Sequence, residues 1–213
     1  MTKHNINDSI QRLDEHHIER HEHFLNFKKN NKIDLLFIGD SITRRWLEVP
    51  HLWESYFSKY NSANFGVGAD TIQNLKWRIL NGELEDIQPK VVVLLIGTNN
   101  LAHYSADEVY EGIEGILDIF KETLPNSKII LMGLLPRDPD DECSDYISKV
   151  TEVNKKLHRL SQERNLIFLD IGKEYIVKSN NVNRSMMEDG LHLIEPGYVI
   201  WGDIISPIIR DIF

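Results

Sequence analysis

The chain is poor in cysteine, in positive charge and in long apolar runs, and each shortage removes a class of protein. Cys143 is the only cysteine among 213 residues, so no disulfide can form within the chain. It lies in a polar stretch apart from any histidine motif, which reads as incidental to chemistry. Lys and Arg number 24 against 33 Asp and Glu, a formal net charge of −9. A phosphate backbone is held by clustered cations, so nucleic acid is not an expected partner. No apolar run approaches the roughly 20 residues that span a bilayer, and Met1-Thr2-Lys3-His4-Asn5 opens without a signal peptide's apolar stretch. No membrane span and a cytoplasmic location are the resulting expectations. Internal repeats, low-complexity tracts and linkers are also missing, as expected for one core-forming domain of this length.

What is present is an alternation of two periodicities. Residues 33–38, 63–65, 91–96, 128–132 and 166–169 are nearly continuously apolar, the pattern of strands covered on both faces. Between them, 72–80, 106–124 and 148–162 carry apolar residues at helical spacing, with Val109, Ile113, Ile116, Leu117 and Phe120 making one stripe. A final helix over 196–209 starts with proline near its first turn. The alternation predicts an α/β fold with a parallel sheet flanked by helices.

Chemistry concentrates at the ends of the predicted strands. Gly39-Asp40-Ser41-Ile42 follows the first strand, so Ser41 sits where strand gives way to helix. Such a serine can be a helix cap or a nucleophile. Asp189-Gly190-Leu191-His192 places a carboxylate and an imidazole within one short loop, completing the residue types of a Ser-His-Asp triad. Gly97-Thr98-Asn99-Asn100 follows the third strand, where an asparagine suits the crevice at the sheet's carboxyl edge better than the apolar layer. Asn64-Phe65-Gly66-Val67-Gly68-Ala69-Asp70-Thr71 has the glycines of a tight turn whose N–H groups could point into the same crevice.

These four segments, in this order, resemble the sequence blocks of the SGNH (GDSL-type) hydrolase family over residues 33–207. Within it they are most similar to the catalytic subunits of the intracellular platelet-activating-factor acetylhydrolases, as are Trp77-Arg78-Ile79-Leu80-Asn81-Gly82-Glu83-Leu84-Glu85 and Gly133-Leu134-Leu135-Pro136-Arg137. The resemblance implies a three-layer α/β/α sandwich around a mostly parallel five-stranded sheet of flavodoxin-like type. It implies Ser41 as nucleophile, His192 as base and Asp189 as its orienter, with oxyanion donors from Ser41, Asn99 and the residue before Asp70-Thr71. The family has glycine at that last position; here it is Ala69, which keeps the N–H but disfavours positive φ. Ile42, Thr98 and Leu191 match positions that line a small acyl pocket, and a homodimer is the implied assembly. The implied reaction is hydrolysis of short-chain, acetyl-type esters through an acyl-enzyme, without metal or organic cofactor. A carbohydrate O-acetylesterase and a non-catalytic glycan- or acyl-binding module are the alternatives.

Residues 1–31 fall outside those blocks and read as a helical extension packed on the domain at 32–213. His16, His17, His21 and His23 there invite a zinc reading, but His17-Ile18-Glu19-Arg20-His21 lacks the glutamate directly after the first histidine. Packing of an amphipathic helix with Ile10, Leu13, His17, Phe24 and Phe27 near one stripe is the expectation. Arg44 and Arg45 read as solvated, and Arg137, following a strand end, is within reach of the crevice.

Overall fold

A computed structural model describes residues 3–177 and 181–213; Met1 and Thr2 of the expected extension lie outside them. Helix α1 (Glu15–Asn30) precedes β1 (Leu35–Gly39), the short α2 (Ser41–Arg44), α3 (Pro50–Phe57), β2 (Ser62–Gly66) and α4 (Ile72–Arg78). Strand β3 (Val91–Leu95), α5 (Ala106–Thr123), β4 (Lys128–Met132), α6 (Tyr146–Arg164), β5 (Ile167–Leu169) and α7 (Glu195–Ile212) complete the order. The five strands form one parallel sheet in the order β2-β1-β3-β4-β5. Helices α4, α5 and α6 pack in a row, while α3 and α7 pack together.

Burial explains the continuous apolar runs. Leu35, Leu36, Phe37 and Ile38 of β1, the central residues of β3 and the apolar stripe of α5 are all buried, and each such side chain contributes about 1.5–3 kcal/mol on leaving water. Helix α5 begins at a reciprocal cap: Ser105 accepts from the Glu108 N–H while Glu108 accepts from the Ser105 N–H. Strand β1 starts two residues later than its apolar run, because the Asp34 carbonyl turns aside to accept from the N–H groups of Lys90 and Val91.

The N-terminal segment departs most from expectation. Its helix begins only at Glu15, where Asp14 caps it by accepting from the His17 N–H. The stripe is correspondingly shorter: Leu13 precedes the helix and is 80% exposed, whereas His17, His21 and Phe24 are buried. Phe24 stacks on Phe65 of β2 at 4.3 Å between ring centroids, which fixes α1 against the domain.

The order 2-1-3-4-5 reverses direction between β1 and β3, and ligands of open α/β sheets bind at the carboxyl ends of strands at such a point. The loops after β1, β2 and β3 meet there.

Candidate active site

Two glycines let those loops converge. A Cβ on Gly39 would lie 1.9 Å from the Leu95 carbonyl oxygen, and one on Gly66 would lie 2.3 Å from the Arg44 backbone nitrogen. Any larger residue at either position would push β1, β3 and α2 apart. The Tyr198 hydroxyl of α7 donates to the Ile42 carbonyl at 2.7 Å and steadies α2 from the other side.

Ser41 opens α2 but does not cap it. Asp40 caps it, its carboxylate accepting from the Ile42 N–H at 2.9 Å. Ser41 Oγ instead lies 2.8 Å from His192 Nε2. His192 Nδ1 lies 2.6 Å from Asp189 Oδ2, while the other Asp189 oxygen accepts from the N–H groups of Leu191 and His192 at 2.9 and 2.7 Å. One short turn therefore holds carboxylate and imidazole in register. With Nδ1–H donated to Asp189, Nε2 is left as the acceptor for the serine hydroxyl. Partial burial works against the Asp189 charge, but the hydrogen bonds from His192 and Leu191 outweigh it and hold the carboxyl down at about 2. Asp189 thus stays ionised at neutral pH.

The groups expected to meet an oxyanion stand at or after the ends of β1, β2 and β3. As first residue of α2, Ser41 has an N–H with no acceptor inside its helix. Asn99 Nδ2 donates one hydrogen to the Asp70 carbonyl at 2.8 Å, which orients the amide and leaves its second hydrogen. Ala69 has φ +61°. That left-handed conformation costs an alanine about 1–2 kcal/mol. Of the residues expected beside the acyl group, Ile42 and Thr98 are buried, at 1% and 2% exposed, while Leu191 is half-buried and retains accessible surface.

Sequence reasoning missed the charged layer beneath this loop. Arg78 is fully buried, with Nε 2.8 Å from Asp70 Oδ2 and Nη1 paired with Glu83. Its Nη2 donates to the Phe65 carbonyl at 3.2 Å and reaches the Gly39 carbonyl at 3.4 Å. Burial presses the guanidinium towards losing its proton, but the two carboxylates prevail and raise its pKa. The signal was in the run from Trp77 to Glu85, where Arg78 and Glu83 stand five apart among apolar neighbours. Their partner Asp70 comes from another segment, which only the fold brings near.

The histidines of α1 join this layer. His21 Nδ1 pairs with Glu83 Oε1 at 2.8 Å. His17 is buried beside Trp77 and Asp70, and burial, with the nearby Arg78 and Arg12 charges, lowers its pKa to about 4. Among the described residues no group of three or more His, Cys, Asp or Glu is arranged to hold a metal ion. Arg44 is half-buried and paired with Glu48 rather than freely solvated. Arg137 packs its guanidinium 3.9 Å from the Tyr146 ring centroid and donates to the Thr98 carbonyl at 3.3 Å, supporting the turn that presents Asn99.

Asp40 provides a titration that isolates one buried group. Burial, with the Asp70 charge adding to it, outweighs the Ile42 N–H and pushes the carboxyl up from 3.8 to about 7. Between those values the unfolded chain releases a proton that the folded chain keeps, so stability contributed here falls as pH rises across the window and is level above it. Asp40→Asn retains a capping oxygen and removes the titration. Its stability relative to the parent should therefore grow from about pH 4 to about pH 7, by up to about 1 kcal/mol per pH unit, and then plateau in urea unfolding. A pH-independent difference would contradict the buried, proton-retaining carboxyl.

The sequence model of the GDSL-like lipase/acylhydrolase family matches residues 37–200, spanning β1 to α7. The alpha2 subunit of platelet-activating factor acetylhydrolase IB from Rattus norvegicus is 36% identical over 186 residues, covering 87% of this chain and 80% of that one. The alpha1 subunit from Homo sapiens is 32% identical over 183 residues, covering 84% and 76%. Among solved structures, a GDSL-like lipase from Bacteroides thetaiotaomicron superposes with a TM-score of 0.78 at 20% identity, covering 92% of this chain and 98% of that one. At that identity the last comparison speaks to the fold alone.

Proposed function

Because this chain belongs to the GDSL-like lipase/acylhydrolase family and is a carboxylic ester hydrolase, we propose that it cleaves short-chain, acetyl-type esters through an acyl-enzyme on Ser41. The observation that carries the reading is the continuous relay from Ser41 Oγ through His192 to Asp189, with contacts of 2.8 and 2.6 Å.

Ser41 Oγ attacks the ester carbonyl as His192 Nε2 takes its proton, and Asp189 stabilises the resulting imidazolium. Negative charge gathers on the former carbonyl oxygen, where the N–H groups of Ser41 and Ala69 and the free Asn99 amide hydrogen stabilise it. Collapse breaks the bond to the alcohol oxygen, which leaves with the proton held by His192. A water molecule then gives a proton to the same imidazole and attacks the acyl carbon, releasing the acid and restoring Ser41.

Acyl selectivity should follow from Leu191, the accessible member of the three expected pocket residues. Each methylene that does not fit is worth about 1–3 kcal/mol of discrimination. Acetyl or propionyl p-nitrophenyl esters should exceed octanoyl esters in kcat/KM, and Leu191→Ala should shift the profile towards longer chains. A parent that favours octanoyl esters would rule out the small pocket. Leu191→Ala with an unchanged profile and a lower melting temperature would assign that side chain to packing alone.

A further inference from the structure

We propose that Arg12 is a positioning residue for the oxyanion loop, fixing the peptide that carries the Ala69 N–H. The proposal rests on the reading of that N–H as an oxyanion donor.

Residues 3–14 run across α4 and α5 without helical structure, and the domain is shaped to seat them. The carbonyls of His4, Asn5, Asn7 and Ile10 accept from Tyr104, Gln73, Lys76 and Asn74 at 2.9, 3.3, 2.7 and 3.0 Å. Ile10 N–H returns a bond to the Gln73 carbonyl at 3.1 Å. Ile6 is buried, and its seat exists because position 112 is glycine: a Cβ there would lie 2.6 Å from Ile6 Cγ1.

A strap held in this way delivers Arg12 to the loop after β2. Nη1 donates to the Gly68 carbonyl at 2.6 Å and to Asp70 Oδ1 at 3.1 Å, on either side of Ala69. Nε and Nη2 form a fork on Asp14 at 2.8 and 3.0 Å, and Asp14 in turn caps α1. The guanidinium is therefore itself held in place.

The Gly68 carbonyl and the Ala69 N–H belong to one planar trans peptide and point in opposite directions. Fixing the oxygen fixes the direction of the N–H. A cation on the carbonyl also polarises the amide, making the N–H a stronger donor. Ala69 needs this support more than a glycine would, because its φ of +61° is disfavoured for an alanine and its own side chain is exposed. On the far side, Asn99 holds the carbonyl two residues on, that of Asp70.

The test is a kinetic cycle of Arg12→Ala, Ala69→Gly and the double variant, with Arg12→Lys alongside and melting temperatures for all. Arg12→Ala should lower kcat for an acetyl ester on the order of 10- to 100-fold with KM within about threefold. Ala69→Gly should shrink that defect to less than about fivefold, since glycine holds the conformation unaided. Arg12→Lys should recover part of the rate, an ammonium still reaching the Gly68 carbonyl. An unchanged kcat in Arg12→Ala, or a defect of the same size with and without Ala69→Gly, would overturn the proposal. Hydrogen exchange of the Asp70 amide, which donates to the Val67 carbonyl across the turn, reads the loop without turnover in Ser41→Ala protein. Faster exchange on Arg12→Ala is expected, and unchanged exchange would dismiss the clamp. Faster exchange with an unchanged kcat would remove the oxyanion reading of Ala69 and the proposal with it.

Discussion

Ser41→Ala should lower kcat/KM for an acetyl ester by at least roughly ten-thousand-fold, because a nucleophile and its base act as one unit. The fold should survive. Ser41 Oγ bonds to His192, and the helix cap is supplied by Asp40, so alanine removes no cap. Ser41 is 8% exposed, and its hydroxyl is replaced by a smaller apolar group at the rim of the crevice. The melting temperature should move by no more than about 3 °C, as expected for a loss below about 1 kcal/mol. Activity within tenfold of the parent, in protein shown to be folded, would remove Ser41 from the mechanism.

Arg78→Met is the second large effect, and it falls first on stability. The substitution leaves Asp70 without its bond to Arg78 Nε and Glu83 without its bond to Nη1, both side chains being fully buried. Breaking a buried pair from one side costs about 3–5 kcal/mol, against a total stability of about 5–15 kcal/mol for a typical domain. Two backbone acceptors lose a donor as well, the carbonyls of Phe65 and Gly39 at the ends of β2 and β1. Because those strand ends lead into the Ala69 loop and Ser41, the proposed oxyanion donor and nucleophile, activity should fall beyond what the folded fraction explains. Arg78→Lys should not restore the parent, since one ammonium cannot reproduce the guanidinium's fork towards two carboxylates. Urea unfolding at neutral pH measures the loss, and a change below about 1 kcal/mol would contradict a working ion pair in this layer.

The parts of this molecule that depend on local pattern were readable from sequence. The apolar runs gave the strands, those of β1 and β3 because both faces of the sheet are covered there while the edge strand β5 stays half-buried, and the 3.6-residue stripe of α5 returned as five buried residues. Ser41 and Asn99 stand in short blocks at strand ends and Asp189 and His192 in one short turn before α7, so local pattern alone brought them forward as candidates. What escaped depends on long-range approach. The Arg78 layer draws on Asp70, Glu83 and α1, and no local spacing reveals that a charged group will be buried against partners from other segments. Leu13 went astray because helical spacing was extended through residues that Asp14 places before the cap. Ile42 and Thr98 are buried while Leu191 is half-buried, a difference that their chain positions beside candidate site residues do not show.

The most direct test of the central claim is stoichiometric labelling with a fluorophosphonate, read by mass spectrometry of the digested protein. Ser41 Oγ, with His192 taking its proton, should attack phosphorus and displace fluoride, giving one label per chain on the peptide that contains Gly39-Asp40-Ser41. The same label should fail to form in His192→Ala. A fully active preparation that stays unlabelled, or that carries its label on a different residue, would contradict the assignment of Ser41 as nucleophile.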